Sequence, residues 1–97
     1  MEKYTVLVHE QYTRDIYKQF KNPIALGIYD SKSDAENALC DLYGKERKAA
    51  TDNVWNAYER SFSDCFEGIT SEDFISFRSK STGNVCFLAK VIQIFVE

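Results

Sequence analysis

The sequence has too few histidines and glycines to build most common catalytic and cofactor-binding motifs. Its single histidine, His9, excludes any metal site that needs two or more histidine ligands. Its four glycines are scattered, so they form neither a glycine-rich dinucleotide loop nor a phosphate-binding P-loop. The H-E-x-x-H, G-x-S-x-G and EF-hand patterns are also absent. We therefore predict no metal, no cofactor and no enzymatic activity.

Long apolar runs and paired cysteines are missing as well. No stretch reaches the roughly 18 apolar residues of a membrane span, and MEKYTVLVHE lacks the features of a secretory signal. The three cysteines, Cys40, Cys65 and Cys86, are odd in number and form no C-x-x-C pair. These absences predict a protein that does not enter a membrane and that resides in the reducing cytoplasm.

The residues that are present favour one folded domain spanning residues 1–97. Apolar residues make up 44% of the chain and aromatic residues 14%, which is enough to build a single modest core. Both fractions are too high for a disordered chain.

Alternating apolar residues predict four β-strands. In residues 4–11, Tyr4, Val6 and Val8 share one face, and residues 24–29 form a second apolar run. The two strands are expected to be antiparallel because the connection, interpreted as a long hairpin arm, is too short for a crossover. Residues 73–80 and 85–96 are predicted as strands joined by a turn at 81–84. The last strand is apolar on both faces, which is typical of a sheet interior or a subunit interface.

Two helices are predicted between these strand pairs. Ser33 and Glu36 have the spacing of a capping box, and Gly44 is placed to end the first helix. Its apolar stripe is formed by Ala35, Ala38, Leu39 and Leu42. The second helix is predicted to begin at Thr51 or Asp52, with a stripe formed by Trp55, Tyr58, Phe62 and Phe66.

The predicted fold is α+β with the order ββααββ. Because each helix has one apolar stripe, both should pack on one face of a four-stranded, mostly antiparallel sheet. If Leu7, Leu88, Ile92 and Ile94 share the opposite face, a second layer must come from a partner or from another copy of the chain. A homodimer formed through the C-terminal strand is therefore one expectation.

The first 43 or so residues carry a resemblance to a known group of domains. In KYTVLVHEQY a strand ends near His-Glu, and in PIALGIYDSKSDAENAL a return strand is followed by a helix start. The matching residues are His9, Glu10, Gly27, Ile28, Tyr29, Ser31, Ala35 and Ala38. This pattern resembles the opening of small uncharacterised bacterial and phage domains. The resemblance implies a β-hairpin followed by a capped helix, and it implies no activity.

Charge is distributed unevenly along the chain. The net charge is −3, and residues 49–97 hold seven Asp/Glu against four Lys/Arg, so the excess lies in the second half. An acidic segment there is formed by Glu59, Asp64, Glu67, Glu72 and Asp73. These carboxylates are either ordinary solvated groups or a surface that binds a basic partner protein and thereby imitates nucleic acid.

A second segment interleaves basic and aromatic residues. Its members are Tyr12, Arg14, Tyr17, Lys18, Phe20 and Lys21. Such a segment can stack bases and neutralise phosphates, although a hairpin arm with inward aromatic residues has the same composition. The net negative charge makes nucleic acid the less favoured partner. A pairing of His9 with a cysteine as base and nucleophile is the remaining alternative, without a local motif to support it.

The absence of catalytic motifs makes binding the favoured function. We expect a small regulatory or inhibitory protein, of the kind encoded by phages or mobile elements, which occupies the surface of a partner protein through its acidic segment. A nucleic-acid-binding module that uses residues 12–21 is the alternative.

Overall fold

The computed structural model describes residues 2–10 and 19–95, and side chains within residues 2–9 and 23–95. This part of the chain forms an α+β domain with five strands and two helices. They are β1 Glu2–Glu10, β2 Gln19–Tyr29, α1 Lys32–Tyr58, α2 Phe62–Cys65, β3 Phe66–Thr70, β4 Phe74–Ser79 and β5 Val85–Phe95. The predicted order ββααββ is wrong because a fifth strand, β3, follows the short helix α2.

The five strands form one antiparallel sheet with the order β2-β1-β5-β4-β3. The C-terminal strand β5 lies between β1 and β4, so it takes the sheet interior, one of the two positions that its apolar faces predicted, and the subunit interface stays a prediction. Because β4 pairs with β5 from Val85 to Lys90, a second copy cannot add to that part of β5. The outer strands are β2 and β3.

Helix α1 is one continuous helix of 27 residues, so the predicted division after Gly44 is wrong. An added Cβ at Gly44 would meet no atom within 4 Å, and an exposed glycine costs a helix only about 1 kcal/mol relative to alanine. The buried stripe of α1 continues on both sides of Gly44, and it is formed by Ala35, Leu39, Glu46, Ala50 and Val54. Tertiary packing of the stripe therefore overrides the local preference of Gly44.

Both ends of α1 differ from the prediction. Ser31 is the N-cap and its hydroxyl accepts a hydrogen bond from the backbone N–H of Asp34 at 3.1 Å, so the predicted capping box of Ser33 and Glu36 is wrong. The helix ends at Glu59, which adopts a left-handed conformation with φ of 54°. No glycine marks this end, so sequence alone could not place it.

The second predicted helix does not exist as a separate element. Trp55 and Tyr58 belong to the last turn of α1 and are 60% and 72% exposed, because the buried stripe runs through Ala50 and Val54 instead. Phe62 lies in α2, and Phe66 begins β3. The apolar residues expected on one helix are thus divided among three elements.

Aromatic side chains join α2 and the sheet in the core. Phe62 stacks on Phe66 with ring centroids 5.0 Å apart, and both contact Phe77 edge to face at 5.3 and 5.4 Å. Phe77 stacks in turn on Phe87 at 5.6 Å. This cluster lies on the face covered by α1 and fixes β3 to the edge of the sheet through Phe66.

The opposite face of the sheet carries a second apolar surface, which we call the open face. Its large apolar residues are Leu7, Ile69, Phe74, Leu88, Ile92 and Ile94. Leu7 pairs with Lys90 and Thr5 with Ile92, so Leu7 shares one face with Leu88, Ile92 and Ile94, the arrangement that the sequence left as a question. None of the six belongs to the core cluster or packs against it, and the described helices lie on the other face.

Candidate protein-binding edge

Four of the five carboxylates predicted to bind a partner lie in β3 or in the segments that flank it along the chain, Glu59 lies at the end of α1, and all five are exposed. We call this set, Glu59, Asp64, Glu67, Glu72 and Asp73, the acidic edge. Glu59 ends α1, Asp64 lies in α2, Glu67 is in β3, and the last two form the turn into β4. A strand of five residues is about 17 Å long, so Asp64 lies before β3 and Glu72 and Asp73 lie beyond its other end, and the five carboxylates do not form one cluster.

Two members of the acidic edge have structural partners. Asp64 completes a capping box for α2: its backbone N–H donates to Ser61 Oγ at 3.2 Å, and its carboxylate accepts from the Ser61 N–H at 3.5 Å. Glu67 Oε2 accepts a hydrogen bond from Arg78 Nη2 at 3.0 Å. Because these two carboxylates already accept hydrogen bonds within the domain, they contribute less to the binding of a partner protein than the other carboxylates do.

The other three carboxylates have no such partner within the described part of the chain. Glu59, Glu72 and Asp73 form no ion pair there. Glu72 and Asp73 are adjacent in the β3–β4 turn, where the backbone carbonyl of Asp73 accepts from the Val91 N–H at 2.8 Å. This bond fixes the turn against β5, so the two carboxylates are presented from an anchored backbone.

The outer backbone of β3 is free to bind another strand. Two hydrogen bonds bracket its pairing with β4: Lys80 N–H to the Cys65 carbonyl at 2.9 Å and Ser71 N–H to the Phe74 carbonyl at 2.8 Å. Since bonded pairs alternate along an antiparallel ladder, residues 67 and 69 bond inward to β4. The N–H and C=O groups of Gly68 and Thr70 therefore point outward. Within residues 2–10 and 19–95, no strand pairs with them.

The two outer strands of the sheet differ in how they are protected. Strand β2 contains Pro23, which has no N–H, and an irregular register near Gly27, which has a φ of 78°. Proline and bulges are devices by which proteins block addition to a free edge. Strand β3 has neither: its five residues pair with β4 in unbroken register. Of the two edges, β3 is the one that can accept a strand.

A close contact explains why β3 contains a glycine. A Cβ at position 68 would lie 2.9 Å from the Tyr43 hydroxyl oxygen. Tyr43 itself packs against the rings of Phe77 and Phe87, with centroids 6.3 and 6.1 Å away. Gly68 thus lets a residue of α1 reach the edge of the sheet, which keeps β3 in place.

A cavity of about 420 Å³ lies where α1 ends beside α2 and the strands. Its lining includes Arg60, Asp64, Cys65, Ser79 and Ser81. Asp64 is used in the capping box, and the two serine hydroxyls lie 3.1 Å from one another. Among the described residues of this lining there is neither histidine nor lysine, the usual bases that activate a cysteine or serine nucleophile.

The cysteines and His9 are placed on different elements. Cys40 is exposed on α1, Cys65 ends α2, and Cys86 is buried in β5, where its Sγ lies 3.6 Å from the Asn84 carbonyl. The Nε2 atom of His9 is buried and has no hydrogen-bond partner in the described part of the chain. Among these residues, no group of three or more potential ligands could hold a metal ion.

The alternative nucleic-acid-binding segment lies outside the described residues. This applies to Tyr12, Arg14, Tyr17 and Lys18 altogether, and to the side chains of Phe20 and Lys21 in β2. That interpretation therefore stays a prediction.

The acidic residues were predicted from the sequence as a binding surface, but strand β3 beside them was not predicted. The signal was the short segment Phe66–Thr70, in which the β-branched Ile69 and Thr70 follow a helix cap at Ser61 and precede a turn. The glycine and threonine in it resemble turn residues, which hid the strand.

Comparison of the chain with protein-family models, with curated proteins and with solved structures finds no match. No helix in the described residues, the long α1 included, is apolar enough to cross a membrane.

Proposed function

We propose that this chain is a protein-binding module without catalytic activity, which regulates or inhibits a partner by occupying a basic part of its surface. The observation that supports the proposal is the β3 edge, where exposed carboxylates accompany a strand backbone that no strand of residues 2–10 and 19–95 pairs with. Glu72 and Asp73 are the most important of these carboxylates because they are adjacent, exposed and held by an anchored turn.

Electrostatics explains why such an edge selects a basic partner. Exposed charges of one sign attract the opposite charge over about 10 Å at ordinary salt and accelerate association. Two cations are held near the other end of β3 and reduce the negative potential there. Lys80 Nζ donates to the Ser63 carbonyl at 2.6 Å, and Arg78 pairs with Glu67. The turn between β3 and β4 is therefore the most acidic point of the edge.

The experiment compares two variants with the same change in net charge. The edge variant carries Glu72→Lys and Asp73→Lys, and the control variant carries Asp34→Lys and Asp41→Lys on exposed positions of α1, whose carboxylates form no ion pair within the described residues. Partners are purified from native cells, identified by mass and titrated with each variant. We expect the edge variant to weaken the Kd about tenfold or more and the control variant to leave it within about twofold.

Two of the three remaining acidic residues, Asp64 and Glu67, require neutral replacements. Reversal of Asp64 would break the α2 cap, and reversal of Glu67 would place a cation beside Arg78. Asp64→Asn and Glu67→Gln retain hydrogen-bond acceptors and remove only charge. If affinity were the same in the edge variant and in the wild-type chain, or fell equally in the control, the acidic edge would not be the binding surface.

A further inference from the structure

The carboxylates of the acidic edge select the charge of the partner, and the outward N–H and C=O groups of β3 select its conformation. We propose that the partner contributes an extended basic segment that adds to β3 as a sixth strand of the sheet. This inference rests on the proposed protein-binding function and names the kind of partner that the edge fits.

Backbone geometry is the first support. Gly68 and Thr70 each direct an N–H and a C=O group away from β4, and they are spaced as in the outer half of an antiparallel ladder. The other end of the strand is closed, because the Phe66 N–H donates to the Phe62 carbonyl. An added strand therefore bonds to a short window centred on Gly68 and Thr70, a mode of recognition in which the main chain supplies affinity.

The side chains of β3 specify the pattern of the added strand. On the open face Glu67 and Ile69 are two residues apart, and Ile69 is 53% exposed. A partner strand places a side chain beside each of them on the same face. The matching pattern is a basic residue and an aliphatic residue at i and i+2, with further basic residues near the turn that contains Glu72 and Asp73.

A second copy of this chain is a poor occupant of the same edge. Antiparallel pairing of two β3 strands around Gly68 would bring the Asp64 end of one strand to the turn with Glu72 and Asp73 in the other. Like charges directly opposite one another destabilise strand pairs. Charge complementarity thus selects a different, basic chain.

The test uses a fluorescent peptide of about eight residues with the repeat Lys-Thr-Val-Thr, which has the i and i+2 pattern. It is titrated against the wild-type chain, Thr70→Pro and Thr70→Val, with anisotropy as the readout. Proline removes the outward N–H of residue 70 and leaves the inward bonds of residue 69 in place, whereas valine keeps that N–H. We expect Thr70→Pro to weaken the Kd at least about tenfold and Thr70→Val to change it less than about twofold.

A second peptide, N-methylated at each threonine, keeps the charge but loses the N–H groups that would bond to Gly68 and Thr70. It should bind the wild-type chain at least about tenfold more weakly than the unmodified peptide does. This comparison uses only the wild-type chain, so it does not depend on the folding of a variant. Hydrogen exchange should also slow at the amides of Gly68 and Thr70 when the unmodified peptide binds.

The outcomes separate this inference from the proposed function. Equal binding of both peptides, with affinity lost only in the edge variant of Glu72 and Asp73, would overturn strand addition and leave charge recognition standing. Loss in Thr70→Pro with no effect of the edge variant would support strand addition and overturn the acidic surface. A failure of the unmodified peptide to bind at low salt would overturn strand addition. A dimer that Thr70→Pro dissociates would show that a second copy of this chain, and not a basic partner, occupies the edge.

Discussion

The two faces of the sheet are built from equally apolar strands but have different surroundings. On the covered face, α1 and α2 bury Phe77, Phe87 and Ala89 completely. On the open face, Leu88 and Ile92 of β5 have the opposite parity to Phe87 and Ala89 and remain partly exposed. The difference teaches that alternation along β5 identifies two faces, and that only the presence of an amphipathic helix decides which of them becomes the core.

The largest expected effect tests this difference directly. Phe77→Ala should lower the free energy of unfolding by about 3–5 kcal/mol, because it removes a ring that contacts three other phenylalanines in the core. Leu88→Ala should lower it by only about 1 kcal/mol, since that side chain is partly exposed. Urea denaturation measures both values. Similar losses in the two variants would show that the open face is covered as well.

The sequence contained enough information for four of the five strands. Alternating residues located β1, β2, β4 and β5 because each pattern is local, and the turn at 81–84 depends on Gly83, whose φ is 74°. Strand β3 was missed because its stability comes from Phe66 packing on Phe62 and Phe77, a contact that no local pattern reveals.

The length of α1 was the second feature that local reasoning could not give. Its buried stripe includes Glu46, which is 1% exposed, and a charged residue at such a position hides the apolar periodicity. The candidate site was also predictable only in part. Composition identified the acidic segment, but the local roles of Asp64 and Glu67 depend on Ser61 and Arg78, and the free strand edge depends on the topology of the sheet.

A smaller effect on the free energy of unfolding tests whether α1, which covers one face of the sheet, is a single continuous helix. Gly44→Ala should raise the free energy of unfolding by about 1 kcal/mol, because Gly44 lies inside α1 and an added Cβ meets nothing within 4 Å. Gly83→Ala is the matched control and should destabilise, since Gly83 has a positive φ. Thermal unfolding compares the two variants. A loss of stability in Gly44→Ala would show that the helix is broken there and that the sheet is covered by two separate pieces.

The smallest effect is expected at the outer end of the open face. Ile94 is partly exposed and lies opposite Lys3 on β1, and threonine keeps the β-branched shape that a strand favours. Ile94→Thr should therefore change the free energy of unfolding by no more than about 0.5 kcal/mol.

Light scattering over a range of concentrations completes the test. A homodimer formed through the open face would lose mass in Ile94→Thr, whereas an unchanged mass at every concentration would leave the acidic edge as the surface that meets a partner. A loss of stability well above this value would mean that a further layer of the protein itself covers Ile94, and the contrast between the two faces would then be smaller than the strands suggest.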